Sequence, residues 1–142
     1  MRKGQQEADF SRPQRRAWKL AEYHYAKALK LRPNATRVMQ NKGTLRMTQG
    51  DQLRLKGDLQ GAGNRYREAQ VLYSQSLDLN PRDQFPHYRL ALLSAKLGEW
   101  ETARRFYDSG RREKGAVKED TWDWLLRAIQ AQDNSELWTK RD

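Results

Sequence analysis

The sequence has no cysteine. That excludes a disulfide framework, a thiolate zinc site and a thiol nucleophile. Histidine occurs at only two positions, His24 and His87, which do not form a metal-ligand pattern. Glycine and proline together make 13 residues, so long disordered tracts are expected only at the ends. No apolar run approaches the roughly 20 residues needed to cross a bilayer. The start, Met1-Arg2-Lys3-Gly4-Gln5-Gln6-Glu7, has no apolar segment behind its charges and does not read as a signal peptide. The expectation is a soluble, cytoplasmic protein, or one of an organelle interior if a targeting segment is missing. Catalytic signatures are also lacking. There is no Gly-x-Ser-x-Gly turn. Gly57 and Gly61-Ala62-Gly63 precede a helix, where phosphate can be cradled, but without a Gly-Lys-Ser/Thr ending or a preceding strand. They read as a turn. Glu99 and Glu101 are explained by a helix start, where the dipole favours acids. No enzyme activity, cofactor or metal site is therefore expected.

What the chain has is basic charge. Its 142 residues carry a net charge of +10, and 18 of the 28 basic residues are arginine. Residues 1–34 hold 9 basic and 3 acidic groups, residues 35–83 hold 8 and 5, and residues 84–142 hold 11 and 10. The N-terminal end is thus a basic pole, suited to an acidic protein, an anionic surface or nucleic acid. Solubility alone also explains such a pole.

The second positive feature is internal repetition. Trp18-Lys-Leu-Ala21-Glu-Tyr-His-Tyr25-Ala-Lys-Ala28 superimposes without gaps on Tyr66-Arg-Glu-Ala69-Gln-Val-Leu-Tyr73-Ser-Gln-Ser76, and on Trp100-Glu-Thr-Ala103-Arg-Arg-Phe-Tyr107-Asp-Ser-Gly110. Each segment runs aromatic, alanine, tyrosine, small residue in steps of three and four, one face of a helix. Pro33 and Pro81 end the first two, because proline cannot continue a helix and restricts the residue before it. The third unit also shows a preceding helix with His87, Leu90, Ala91 and Ser94, then the turn Leu97-Gly98-Glu99-Trp100.

These segments resemble the tetratricopeptide repeat over about residues 17–115. The resemblance implies an all-α stack of antiparallel helix hairpins, about six helices in all, whose first helices line a concave groove. Pro33 to Pro81 spans 48 residues where the family repeats at 34, and the excess is close to four helical turns. Two readings follow: one long helix from Thr36 to about Lys56, or a break at Gly50-Asp51 with a short extra helix. Helix one is expected from Ser11-Arg12-Pro13 onward, as a cap with proline in the first turn. Glu119 to Ala131 reads as a terminal capping helix. The division expected is a polar basic tail over 1–11, a helical domain over 12–131 and a tail over 132–142, with Trp138 in that tail either docked back or an anchor.

The resemblance implies a protein-binding scaffold, an adaptor, chaperone or assembly subunit. In the groove, Phe85, Tyr88, Arg89, Leu92 and Lys96 form one stripe, and Arg37, Asn41, Thr44 and Thr48 the corresponding wall of the preceding unit. Asn41 and Arg89 match residues that in some family members clamp a peptide's terminal carboxylate. An acidic or peptide-like partner follows. Packing between hairpins is the other reading of Phe85 and Tyr88. Helix one lacks its usual hairpin partner, so Leu20, Tyr23 or Ala26 needs cover from a partner, a second copy or a larger complex. The alternative function is RNA binding through Arg12, Arg15, Arg16 and Lys19, with a later cluster at Arg104, Arg105, Arg111 and Arg112.

Overall fold

A computed structural model describes residues 10–138. Among these it contains six helices and no strand: α1 (Arg12–Leu31), α2 (Thr36–Leu55), α3 (Leu59–Leu79), α4 (Gln84–Lys96), α5 (Trp100–Arg111) and α6 (Glu119–Ala131). None is long and apolar enough to cross a membrane. The chain forms two compact units, divided between Gln75 and Ser76 within α3.

The helix ends follow from local chemistry. Ser11 is extended, its Oγ accepts from the Gln14 amide at 3.3 Å, and proline stands in the first turn of α1. The helix closes two residues before Pro33. α2 runs unbroken through Gly50-Asp51, so the first of the two expected readings holds. Its end is a left-handed glycine turn. Gly57 has φ 86°, its amide donates to the Arg54 carbonyl and the Asp58 amide donates to Leu53, each at 2.9 Å. The α4–α5 turn repeats this chemistry. Gly98 has φ 75°, and the Glu99 amide donates to the Ser94 carbonyl at 2.8 Å. Glycine occupies both positions because a side chain resists that backbone conformation. Gly61-Ala62-Gly63 lies inside α3 rather than in the turn. Asp58 stands before the helix, and its Oδ1 accepts from the Gly61 amide at 2.9 Å, so α3 begins earlier than the glycines suggest.

In the first unit, α2 and α3 pack through matched glycines and tyrosines. A Cβ on Gly43 would sit 2.9 Å from the Tyr73 ring, and one on Gly50 would sit 2.6 Å from the Tyr66 ring. The glycines are seven residues apart, as are the tyrosines in the opposite order, which makes the pair antiparallel. The phenols find partners at the interface: Tyr66 donates to Asp51 at 2.5 Å, and Tyr73 shares a hydrogen with the Thr44 hydroxyl at 2.7 Å. α1 joins through Trp18, which meets Phe10 edge-on at 4.8 Å, and through an ion pair from Glu22 to Arg46 of α2. Arg46 also holds Glu68 of α3 at 2.9 Å and Gln49 at 2.9 Å. One largely buried guanidinium thus bonds to all three helices.

The second unit is built on Trp122. This fully buried residue of α6 packs edge-on against Tyr88 of α4 at 5.6 Å and Tyr107 of α5 at 5.3 Å. Helix α6 thereby covers the α4–α5 hairpin, the role expected of a cap. Gly110 leaves the room, since a Cβ there would lie 2.8 Å from both His87 and Trp122. Buried Gln84 fixes the α5–α6 connection. Its Nε2 donates to the Gly110 and Glu113 carbonyls at 3.1 and 2.8 Å, and its Oε1 accepts from the Val117 amide at 3.2 Å.

Two glycine substitutions should act with opposite sign. Gly43→Ala should lower stability by about 1–3 kcal/mol, because the Tyr73 ring has to give way. Gly63→Ala, where an added Cβ meets open space within α3, should raise it by about 0.5–1 kcal/mol. Urea unfolding of the two variants checks both signs.

Candidate functional site

The two units differ in charge. Residues 1–75 hold 16 of the 28 basic and 6 of the 18 acidic groups, whereas residues 76–142 hold 12 of each. The whole net charge therefore belongs to the first unit. Two of the four arginines of the later cluster are answered by acids. Arg104 pairs with Asp108 at 3.1 Å and Arg111 with Glu119 at 2.8 Å. The hydrogen bond from Arg111 holds the Glu119 carboxyl below its usual range.

On α1 the expected patch changes membership. Arg12, Arg16 and Lys19 are exposed, whereas Arg15 is half-buried with its Nε shielded from solvent. The exposed row continues instead through Tyr23, Lys27 and Lys30. Steps of four, three, four, four and three place all six within about 80° of the helix surface. The signal for Lys27 and Lys30 was present in the spacing from Lys19. Glu22 is the sole acidic residue of α1, and it faces inward onto Arg46. Leu20 and Tyr23 are 59% and 60% exposed, and Ala26 is also open.

Each half of the expected groove stands in its own unit. On α2, Arg37, Asn41 and Thr48 are exposed in one row, while Thr44 between them turns its hydroxyl to Tyr73 and to the Gln40 carbonyl at 3.1 Å. On α4, Tyr88, Leu92 and Lys96 are buried. Phe85 and Arg89 stay half-buried, with the guanidinium stacked 4.9 Å from the Phe85 ring and 5.7 Å from that of Tyr88. Tyr88 is thus a packing residue in contact with Trp122, and the stripe open on α4 shrinks to Phe85 and Arg89.

Two segments expected as tails contribute to the fold. Phe10 is buried against Trp18 and beneath the Lys56 ammonium at 4.9 Å; residues 1–9 lie outside the described residues. At the other end, Asn134 donates to the Ala95 and Lys96 carbonyls at 3.2 and 3.1 Å, satisfying the last turn of α4. Leu137 is buried, and Lys96 lies 5.6 Å from the Trp138 ring. Trp138 is docked back, which explains why Lys96 is buried rather than available to a ligand. Residues 139–142 lie outside the described residues.

Among the described residues, no group of three His, Asp or Glu side chains is placed to hold a metal. A cleft of about 220 Å³ runs beside α6, with Trp124, Arg127 and Leu137 on its walls. His87 Nε2 bonds to the Pro81 carbonyl at 3.0 Å, and His24 meets Tyr23 edge-on. Asp58 occupies the start of α3 where a bound phosphate would stand, and its carboxylate repels an anion. No protein-family model and no curated protein sequence matches the chain.

Asn134→Ala should lower stability by about 1–2 kcal/mol, because the Lys96 carbonyl loses its side-chain donor and the Ala95 carbonyl keeps only the Gly98 amide. Trp138→Ala should cost more, about 2 kcal/mol, because the cation it covers belongs to the buried Lys96. Thermal unfolding of both variants checks the order.

Proposed function

We propose that the chain is a non-catalytic scaffold of the tetratricopeptide type that binds a partner protein. It would serve as an adaptor, a chaperone or an assembly subunit. The observation that supports this most is the solvent face of α2. Arg37, Asn41 and Thr48 stand open in a row on a helix whose opposite face is fixed by Arg46 and by the Gly43–Tyr73 and Gly50–Tyr66 contacts. An asparagine amide both donates and accepts, which suits a peptide backbone. An arginine fork suits a carboxylate of an acidic or C-terminal segment. Presenting such groups from a rigid helix reduces the ordering cost of binding. Arg89, half-open above Phe85, offers a second cation in the other unit.

The test compares affinity purifications from native extract with wild-type bait and with Arg37→Glu/Asn41→Ala bait, both treated with nuclease. A defined protein retained by the wild type and lost by the variant, at moderate salt, is the expected result. Identical protein recovery by both baits would remove the α2 face from the account. The substitutions lie at exposed positions, so folding stability should change by no more than about 0.5 kcal/mol.

A further inference from the structure

The row Arg12, Arg16, Lys19, Tyr23, Lys27 and Lys30 lies on α1 and takes no part in the α2 face. From its composition and its surroundings, we infer that the outward face of α1 is a binding site for single-stranded nucleic acid, gripping the backbone through five cations and stacking a base on Tyr23.

On α1 itself the row has one acid beside it, Glu22. Glu22, one turn from Lys19 and beside the row, could have neutralised it, but its carboxylate is engaged by Arg46. Among the described residues, no acidic group pairs with any of the five cations. Charges left unanswered over a face of this length are a standing attraction for a polyanion. The row runs over residues 12–30, about 27 Å of helix axis, so the cations form a track rather than a point. Tyr23 stands between three cations on its N-terminal side and two on the other, is 60% exposed, and is braced edge-on by His24 at 5.4 Å. A cationic track with an aromatic set into it matches the way proteins hold single strands, in which phosphates meet cations and bases lie on aromatic faces. Within the row there is no aliphatic side chain. Leu20 and Leu31 lie to one side, and surface leucines scattered singly need no partner. An acidic partner helix would be recognised by an apolar seam flanked by charge, and the row offers no such seam.

The strength and form of binding follow from counterion release. Five phosphate contacts on a single strand predict that log K falls against log salt with a slope of about −3.5. Each cation removed should lessen that slope by about 0.7.

The experiment uses the full chain and a labelled oligouridine of about 15 nucleotides, a length at the upper end of common single-strand site sizes. Anisotropy is read at several salt concentrations for wild type, for Arg16→Glu/Lys19→Glu/Lys27→Glu and for Tyr23→Ala. Circular dichroism and urea midpoints confirm that the variants keep the fold. The expected result is saturable binding with the predicted slope, loss of binding in the triple variant, and a weakening on the order of tenfold in Tyr23→Ala. Heparin, which has no bases, should bind equally to wild type and Tyr23→Ala. Absence of oligouridine binding at low salt would overturn the inference. So would binding that the triple variant retains, or a Tyr23→Ala variant that loses nothing against oligouridine, which would mark a general polyanion surface. Binding of an acidic designed helix or of vesicles rich in anionic lipid, without oligouridine binding, would reassign the face to a protein or a membrane. Arg37→Glu/Asn41→Ala is not expected to abolish oligouridine binding, so the α1 and α2 readings fail independently.

Discussion

The first unit depends on one guanidinium. Arg46 lies largely out of solvent and is answered by Glu22 from α1, by Glu68 from α3 and by Gln49 of its own helix. A buried cation is tolerable only when its donors are met, and meeting them requires both neighbouring helices at one register. The same bond decides the outer surface. By engaging Glu22, the only acid of α1, Arg46 leaves the cationic row without an acidic partner on its own helix. Packing in the unit and charge on its surface are therefore two consequences of one interaction.

The remaining order comes from pairing small residues with large ones. Gly43 and Gly50 let the Tyr73 and Tyr66 rings lie against the α2 backbone, and Gly110 does the same for Trp122. Each tyrosine also brings a hydroxyl that must be satisfied, and Thr44 and Asp51 are placed to do so. In the second unit, Gln84 replaces the ionic clamp with a neutral one, bonding three backbone groups of the α5–α6 connection. These paired solutions account for a chain of modest apolar content, 37% by composition, forming defined hairpins.

Much of this was legible in the sequence because its determinants are local. Ser11, Pro33, Pro81, Gly57 and Gly98 announce helix ends by local chemistry alone, and the repeated aromatic–alanine–tyrosine spacing marks the buried faces. The bounds of α6 match the expectation, Glu119 to Ala131. What escaped is what depends on distant residues. Gly61 and Gly63 read as a turn by composition, but Asp58 caps the helix ahead of them. Lys96 and Leu92 read as groove residues, yet both are buried. Asn134 and Trp138, nearly 40 residues later, close over the end of α4. Glu22 and Arg46 are 24 residues apart, so no periodicity reveals their bond. Arg15 reads with Arg16 by adjacency, but neighbours on a helix face different directions.

The most direct test of the account is a double-mutant cycle on Glu22 and Arg46. Stability is measured by urea unfolding for Glu22→Gln, Arg46→Met and the pair. If Arg46 ties α1 to α2 as described, the two changes are not additive, and the coupling is about 1–2 kcal/mol, within the range for contacting charged partners. Additive changes, with no measurable coupling, would contradict the account, since Glu22 would then be free to turn outward and the cationic face of α1 would lose the reason for its charge.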